Sequence, residues 1–307
     1  MRRLGVIDLG TNTFHLLIVE TKTGGTFEEI YRQRIFIKLA ENGIDRIGQA
    51  PFQRGLKALH TYQQVLEEYQ VDEVKAFGTA ALRTASNGRE FIKEVKEKTG
   101  LTVQLIQGSE EAEYIYKGVV QAVPFDQGKG LIMDIGGGSV EFIIADQKQF
   151  YWAQSFPIGV AVLYNRFHQN DPIHPTEIEA MEVFLGQELR PLFDQLQHHD
   201  IHQLIGASGT FDVVQDLLAD KSTPLFSQVS VAEFYPFYDQ MLKSSLQERL
   251  DHPNIPDTRA DMIIVALILI HFMLTRANIQ TILTSAYAMK EGMLYDMIQE
   301  SQNHFLD

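Results

Sequence analysis

Two carboxylates flank three glycines in LIMDIGGGSVEFIIAD, residues 131–146, with Asp134 before them and Glu141 after. The residues that follow alternate and are rich in β-branched types, so the glycines form a hairpin turn. A dinucleotide site or P-loop would instead put them between a strand and a helix, and no Lys follows here. Three glycines allow positive φ and let backbone amides converge on one small anion. Two anions beside an anion nest repel the ligand unless a cation lies between. Mg2+ takes oxygen ligands, keeps waters and bridges to phosphate, and Mn2+ is an alternative. The expectation is a phosphoryl group on Gly136, Gly137, Gly138 and Ser139, with Asp134 and Glu141 on the metal side.

The same pattern occurs earlier. GVIDLGTNTFHLLIVE, residues 5–20, aligns with this stretch at an offset of 126, placing Asp8 on Asp134, Gly10 on Gly136 and Thr13 on Ser139. Asp8 becomes the counterpart metal-side carboxylate. Thr11, Asn12 and Thr13 offer hydroxyl and amide donors as well as backbone amides. FGTAALRT, from Phe77, and IGASGTFD, from Ile205, align at an offset of 128, each a strand end running through a small-residue turn into a helix. Two matches at nearly one offset predict duplicated halves facing each other across a cleft.

The elements that must position these loops follow from periodicity. Strands are predicted over 4–9, 14–20, 26–38, 72–78 and at TVQLI, with a helix from Phe52. GREFIKEVKEKTG reads as a helix capped by Asn87 or Gly88 and stopped by Gly100. SEEAEYIYKGVVQAV reads as a helix with Ser109 as N-cap and Glu110 and Glu111 in its first turn, ended by Pro124. PFDQGKG, residues 124–130, reads as a linker between domains 1–124 and 125–285, and a last helix over 286–302 as crossing back to the first domain. Beyond its hairpin the second half reads as mostly helical from about residue 175.

The 307 residues include no Cys, which excludes disulfides, zinc-thiolate sites and thiol catalysis. No secretory signal is read at the start, because Asp8 interrupts the first apolar run, and a cytoplasmic protein is expected. MIIVALILIHFML, residues 262–274, is too short for a membrane span and reads as a buried core helix. A net charge of −14 argues against general nucleic-acid binding. Residues 1–124 carry 16 Lys and Arg against 16 Asp and Glu, and residues 125–307 carry 10 against 24. Basic contacts to an anionic ligand are therefore expected mainly from the first half.

IDLGTNTFHLLIVE and MDIGGGSVEFII resemble the two phosphate motifs of the actin, sugar-kinase and chaperone-ATPase superfold. More narrowly they resemble the exopolyphosphatase and guanosine-pentaphosphate phosphatase family, as do FGTAALRTASNGREF, IQGSEEAEYIYKGVV, IGASGT and MKEGMLYD. These segments keep the family's order over residues 4–296. The resemblance implies an α/β fold of two duplicated ribonuclease-H-like (actin-like ATPase) domains facing an interdomain cleft. It implies metal-dependent hydrolysis of a terminal phosphoanhydride, in inorganic polyphosphate or at the 5′ end of guanosine pentaphosphate (pppGpp), and a homodimer without membrane or specific nucleic-acid partners. It makes Glu111 the general base, Arg83 a grip on phosphoryl oxygens, Gly209 and Thr210 further phosphate donors, and Arg34 and Lys38 secondary anion contacts on a strand bordering the anion path.

Four positions depart from the family pattern: Glu113 for Arg, Val140 for Thr, Tyr287 for Gly and Lys290 for Arg. None is a metal or base residue. Two rival readings are a kinase or ATPase of the same superfold, and a sensor of alarmones or polyphosphate with little turnover. Tyr287, where a small residue would open space for a purine, counts against the first. Intact Asp8, Glu111, Asp134 and Glu141 count against the second.

Overall fold

A computed structural model describes residues 2–126 and 128–303 of the chain. The chain divides into two compact units, Met1–Gly118 with Met289–Asp307, and Val119–Ala288. The first is built on a five-stranded sheet and the second on a seven-stranded one.

In unit 1, β1 (Arg3–Leu9), β2 (Thr13–Thr21) and β3 (Phe27–Phe36) form an antiparallel meander, followed by helix α1 (Gln49–Glu68). Strand β4 (Glu73–Gly78) then joins β1 in parallel. After α2 (Ala80–Thr84) and α3 (Gly88–Thr99), β5 (Val103–Leu105) adds in parallel to β4, and α4 (Gly108–Ala122) leads out. The strand order is β3-β2-β1-β4-β5. Helix α1 buries Phe52, Leu56, Leu59, Tyr62 and Leu66, the three-and-four spacing that keeps one face on the sheet. Phe91 of α3 meets Phe14 and Phe52 edge to face in the same core. Gly100 ends α3 in the left-handed conformation. The Asn87 side chain does not cap that helix but pairs with both backbone groups of Ile47, at 2.9 Å each.

Unit 2 repeats the plan. Strands β6 (Gly130–Ile135), β7 (Val140–Ala145) and β8 (Phe150–Phe156) form the meander. Helices α5 (Val160–Phe167), α6 (Pro175–Glu188) and α7 (Arg190–Leu196) intervene before β9 (Gln203–Ala207), parallel to β6, and α8 (Gly209–Leu218). Strands β10 (Ala219–Ser222) and β11 (Phe226–Ser230) form a hairpin, followed by α9 (Val231–Leu242), α10 (Leu246–Leu250) and α11 (Ile263–Arg276). Strand β12 (Thr281–Ser285) closes the sheet, whose order is β10-β11-β12-β9-β6-β7-β8. The stretch β8-β7-β6-β9-β12 reproduces β3-β2-β1-β4-β5 with the same parallel and antiparallel pairings.

Beyond residue 175 helices hold most of the chain, as expected, and the short strands among them extend the sheet, β12 pairing on β9, β11 on β12 and β10 on β11. Two sequence expectations need adjustment. The units part at Gly118–Val119, inside α4, earlier than the 124–130 linker. The last turn of α4 is tied to the β7–β8 turn, where the Gln147 amide donates to Val120 O at 2.8 Å and accepts from Phe125 N at 3.3 Å. The final helix, α12 (Met289–Asn303), returns to unit 1, where Gly292 lies against Tyr114 O so closely that an added Cβ would sit 1.9 Å away. Finally, β3 stops at Phe36, so Lys38 is not on a strand but takes a left-handed φ of 52°. Residues Ile263 to Ile270 are all buried, which makes α11 a core helix. Among the described residues no helix is long and apolar enough to cross a membrane.

Candidate active site

Each unit carries a short hairpin loop closed by the same bond, Gly10 N–H to Thr13 O at 3.2 Å and Gly136 N–H to Ser139 O at 3.0 Å. The loops are braced differently. In unit 1 the chain after β3 turns in, and Leu39 N–H donates to Thr11 O at 2.7 Å while Ile37 and Lys38 N–H donate to Asn12 O at 2.8 and 3.0 Å. This inward turn imposes the left-handed conformation on Lys38. In unit 2 the head of α5 does the same work, with Val160 N–H on Gly136 O at 3.0 Å and Ala161 N–H on Gly137 O at 2.9 Å. Gly159 lies so near that an added Cβ would be 2.4 Å from the Gly137 carbonyl carbon.

The bracing sets the direction of the amides. In a trans peptide the carbonyl and the following N–H point opposite ways. Carbonyls 136 and 137 turned toward α5 therefore aim the amides of Gly137 and Gly138 away from it. Carbonyls 11 and 12 aim the amides of Asn12 and Thr13 likewise. Each loop thus presents consecutive N–H groups on one side, the geometry of an anion nest.

The carboxylates lie one rung below each turn. Asp134 faces Glu141 across β6–β7, and Glu141 faces Ser155 across β7–β8, so the three side chains share one face of the sheet. Asp134 is 8% and Glu141 1% exposed, and the Ser155 hydroxyl donates to Glu141 Oε1 at 2.6 Å. In unit 1 the equivalent rung holds Asp8, His15 and Arg34. Asp8 therefore has an imidazole where Asp134 has a second carboxylate. Beneath that loop the Tyr62 hydroxyl donates to Phe14 O at 2.7 Å. Burial raises the Tyr62 phenol pKa, the charge of Asp8 adds to the rise, and the group stays a donor.

Glu111 and Arg83 meet in unit 1. Arg83, at the end of α2, donates to Ile106 O at 2.6 Å, and its guanidinium lies 3.5 Å from the Glu111 carboxylate. Glu111, on the first turn of α4, is 8% exposed. Its neighbour Glu110 accepts from Gln107 N–H at 2.8 Å and so caps the helix, which begins at Gly108 and not after Ser109. The two adjacent glutamates are thereby separated into a capping carboxylate and a buried one held beside a cation.

The small-residue turn of unit 2 sits below β6. Ser208 takes a φ of 66°, and its hydroxyl donates to Ile135 O at 3.2 Å. Gly209 and Thr210 then open α8, with Thr210 buried. Gly209 has the Arg259 guanidinium against it, since an added Cβ would lie 1.7 Å from an Arg259 nitrogen. No motif marks Arg259 as a site residue, because its one cue, an Arg shortly before an apolar helix, is common. It brings a cation to the acidic half, whereas basic contacts were expected mainly from the first half. Among the described residues no cluster of three or more His, Asp or Glu has metal-site spacing. Two carboxylates beside an amide nest do suit Mg2+, which is usually held by one or two carboxylates, waters and substrate phosphate.

Two duplicated α/β units with paired, closed hairpin loops define the class: a two-domain, actin-like protein. The comparisons narrow it. The model of the Ppx/GppA phosphatase family matches residues 17–301. An exopolyphosphatase from Cytophaga hutchinsonii superposes with a TM-score of 0.93 at 36% identity, covering 97% of this chain and 98% of the other. A Ppx/GppA family member from Aquifex aeolicus shares the fold at 23% identity with a TM-score of 0.80, covering 98% of each chain. The chain belongs to the Ppx/GppA phosphatase family, hydrolases that act on phosphoanhydride bonds.

Proposed function

We propose that the protein is a Mg2+-dependent exopolyphosphatase that releases terminal orthophosphate from inorganic polyphosphate. The single observation that carries the reading is the pair of buried carboxylates on one rung beside the amides of Gly137 and Gly138. Such a site wants a polyanion and a divalent cation together. The 36% identity to a protein described as an exopolyphosphatase supports the choice of polymer.

In this reading the loop amides, with Thr11, Asn12, Thr13 and Ser139, bind phosphoryl oxygens, and Gly209 and Thr210 add donors at the head of α8. Asp134 and Glu141, with Asp8 as the unit 1 carboxylate, hold the cation, which when bound neutralises charge on the phosphoryl oxygens. Glu111 accepts a proton from water as the water oxygen bonds to the terminal phosphorus. The bridging P–O bond breaks, and its electrons leave with the shortened chain. Arg83 anchors Glu111 and offers its remaining donors to the equatorial oxygens. Arg34, Lys38 and Arg259 supply further positive charge to the polyanion. The test is phosphate release from long-chain polyphosphate and from guanosine pentaphosphate in parallel, with and without Mg2+. Faster Mg2+-dependent release from polyphosphate is expected. Release from the nucleotide alone would make the protein a pentaphosphate phosphohydrolase, and release from neither would favour a sensor.

A further inference from the structure

We infer that Ser155 is a positioning residue for the metal-side carboxylate Glu141, an inference that rests on the function proposed above. Ser155 stands directly opposite Glu141 on β8, and its hydroxyl donates to Glu141 Oε1 at 2.6 Å, the length of a charge-assisted O–H···O⁻ bond. Glu141 is 1% exposed, so bulk water does not orient its carboxylate. A glutamate has three side-chain torsions, and fixing them at the moment of metal binding costs entropy. A neighbouring donor that holds one oxygen pre-orients the group before the cation arrives.

The strand geometry makes this specific. Gly136 and Gly137 are clamped by the head of α5, which follows β8 directly through Ile158 and Gly159. The strand that carries Ser155 therefore continues into the segment that braces the nest. One stretch, residues 155–161, fixes both the carboxylate and the amides, and the hydroxyl couples the two. In unit 1 the same rung position is Arg34, which cannot accept this role toward His15 because both carry donors when protonated. Positioning by a hydroxyl belongs to the unit 2 hairpin.

The test is Mn2+ binding followed by electron paramagnetic resonance of the free ion, on the whole protein without substrate. The variants are Ser155→Ala, Ser155→Thr, Ser155→Cys and Glu141→Gln, each checked for folding by thermal melt. Ser155→Ala is expected to weaken Mn2+ binding about tenfold, with Ser155→Thr restoring it to within about threefold of the parent, the range of outer-shell partners of metal ligands. Should Ser155→Ala fail to fold, Ser155→Cys, near-isosteric with only a weak donor, makes the same comparison. Parent-like Mn2+ affinity in Ser155→Ala, together with its loss in Glu141→Gln, would overturn the positioning role and leave the metal site standing. Parent-like affinity in Glu141→Gln would remove the metal reading itself, and the inference with it. A lowered melting temperature with unchanged Mn2+ affinity would show a merely structural hydroxyl and also overturn it.

Discussion

The second rung of the unit 1 hairpin carries Asp8, His15 and Arg34, whereas the matching rung of unit 2 carries Asp134, Glu141 and Ser155. The backbones correspond in strand order, loop closure and amide direction. The side chains do not. The unit 1 rung sets its carboxylate beside groups that carry or can take positive charge. The unit 2 rung sets two carboxylates together. Ionised carboxylates at the cross-strand spacing of about 5 Å repel by ~3 kcal/mol at an effective dielectric of about 20. A divalent cation is the natural relief on that side, while unit 1 carries its own. Duplication has kept the loop backbone and divided the charges between its copies.

The two loops differ most in what braces them. Gly159→Ala would push a Cβ into Gly137, and it is expected to lower phosphate release by about 10²–10³, the cost of losing preorganised donors. Unit 1 has no helix head at this place, and Lys38→Gly, which relieves a left-handed residue, should leave its loop intact and cost less than tenfold, ~1 kcal/mol. Equal losses from the two substitutions in a phosphate-release assay would show that the loops are not braced in different ways.

The rungs can be tested against each other through metal binding. Glu141→Gln is expected to weaken Mn2+ binding by about 100-fold or more, while His15→Gln changes it less than about threefold, since a hard cation draws on carboxylate and not on imidazole here. Calorimetric titration reads both, and a comparable loss in His15→Gln would give the imidazole opposite Asp8 a part in holding the cation. A smaller effect is expected at Arg259. Arg259→Ala removes a charged donor from the head of α8 and should raise KM for polyphosphate about tenfold with a lesser change in kcat. A fall in kcat with KM unchanged would move Arg259 from binding to chemistry.

Acidification should separate the units most gently. Burial lowers the pKa of His168, which Arg249 lowers further and Asp171 raises, and burial also lowers that of His271, which faces Glu182 and Asp239. Both lie in unit 2. A histidine held neutral in the fold is protonated more readily when unfolded. Stability is therefore full above about pH 6.5 and is lost progressively as pH falls below it. Hydrogen exchange from pH 8 to 5 should show protection falling around α5 and α11 in unit 2. Protection there that rises on acidification would contradict the sign.

Much of this was legible in the sequence, because the repeat is local in character. Asp8 on Asp134 and Gly10 on Gly136 at one offset predict the paired hairpins, and alternation predicts the meanders. Glu111 and Arg83 were reached only through resemblance, since a glutamate in a helix's first turn is ordinary chemistry. The structure adds that Glu110 caps and Glu111 is buried beside Arg83. What stayed hidden depends on long-range register. Ser155 meets Glu141 only once the β7–β8 turn length is known, and Arg259 reaches Gly209 from a segment with no motif of its own. Lys38 read as strand because its neighbours alternate, and the tertiary pull of the Asn12 carbonyl overrode that pattern.

The most direct test of the account separates the base from the metal. Glu111→Gln protein should bind Mn2+ as the parent does, yet release phosphate from polyphosphate about 10²–10⁴-fold more slowly, as expected when a positioned general base is removed. Parent-like phosphate release by that variant would contradict the assignment of Glu111, and with it the proposed mechanism.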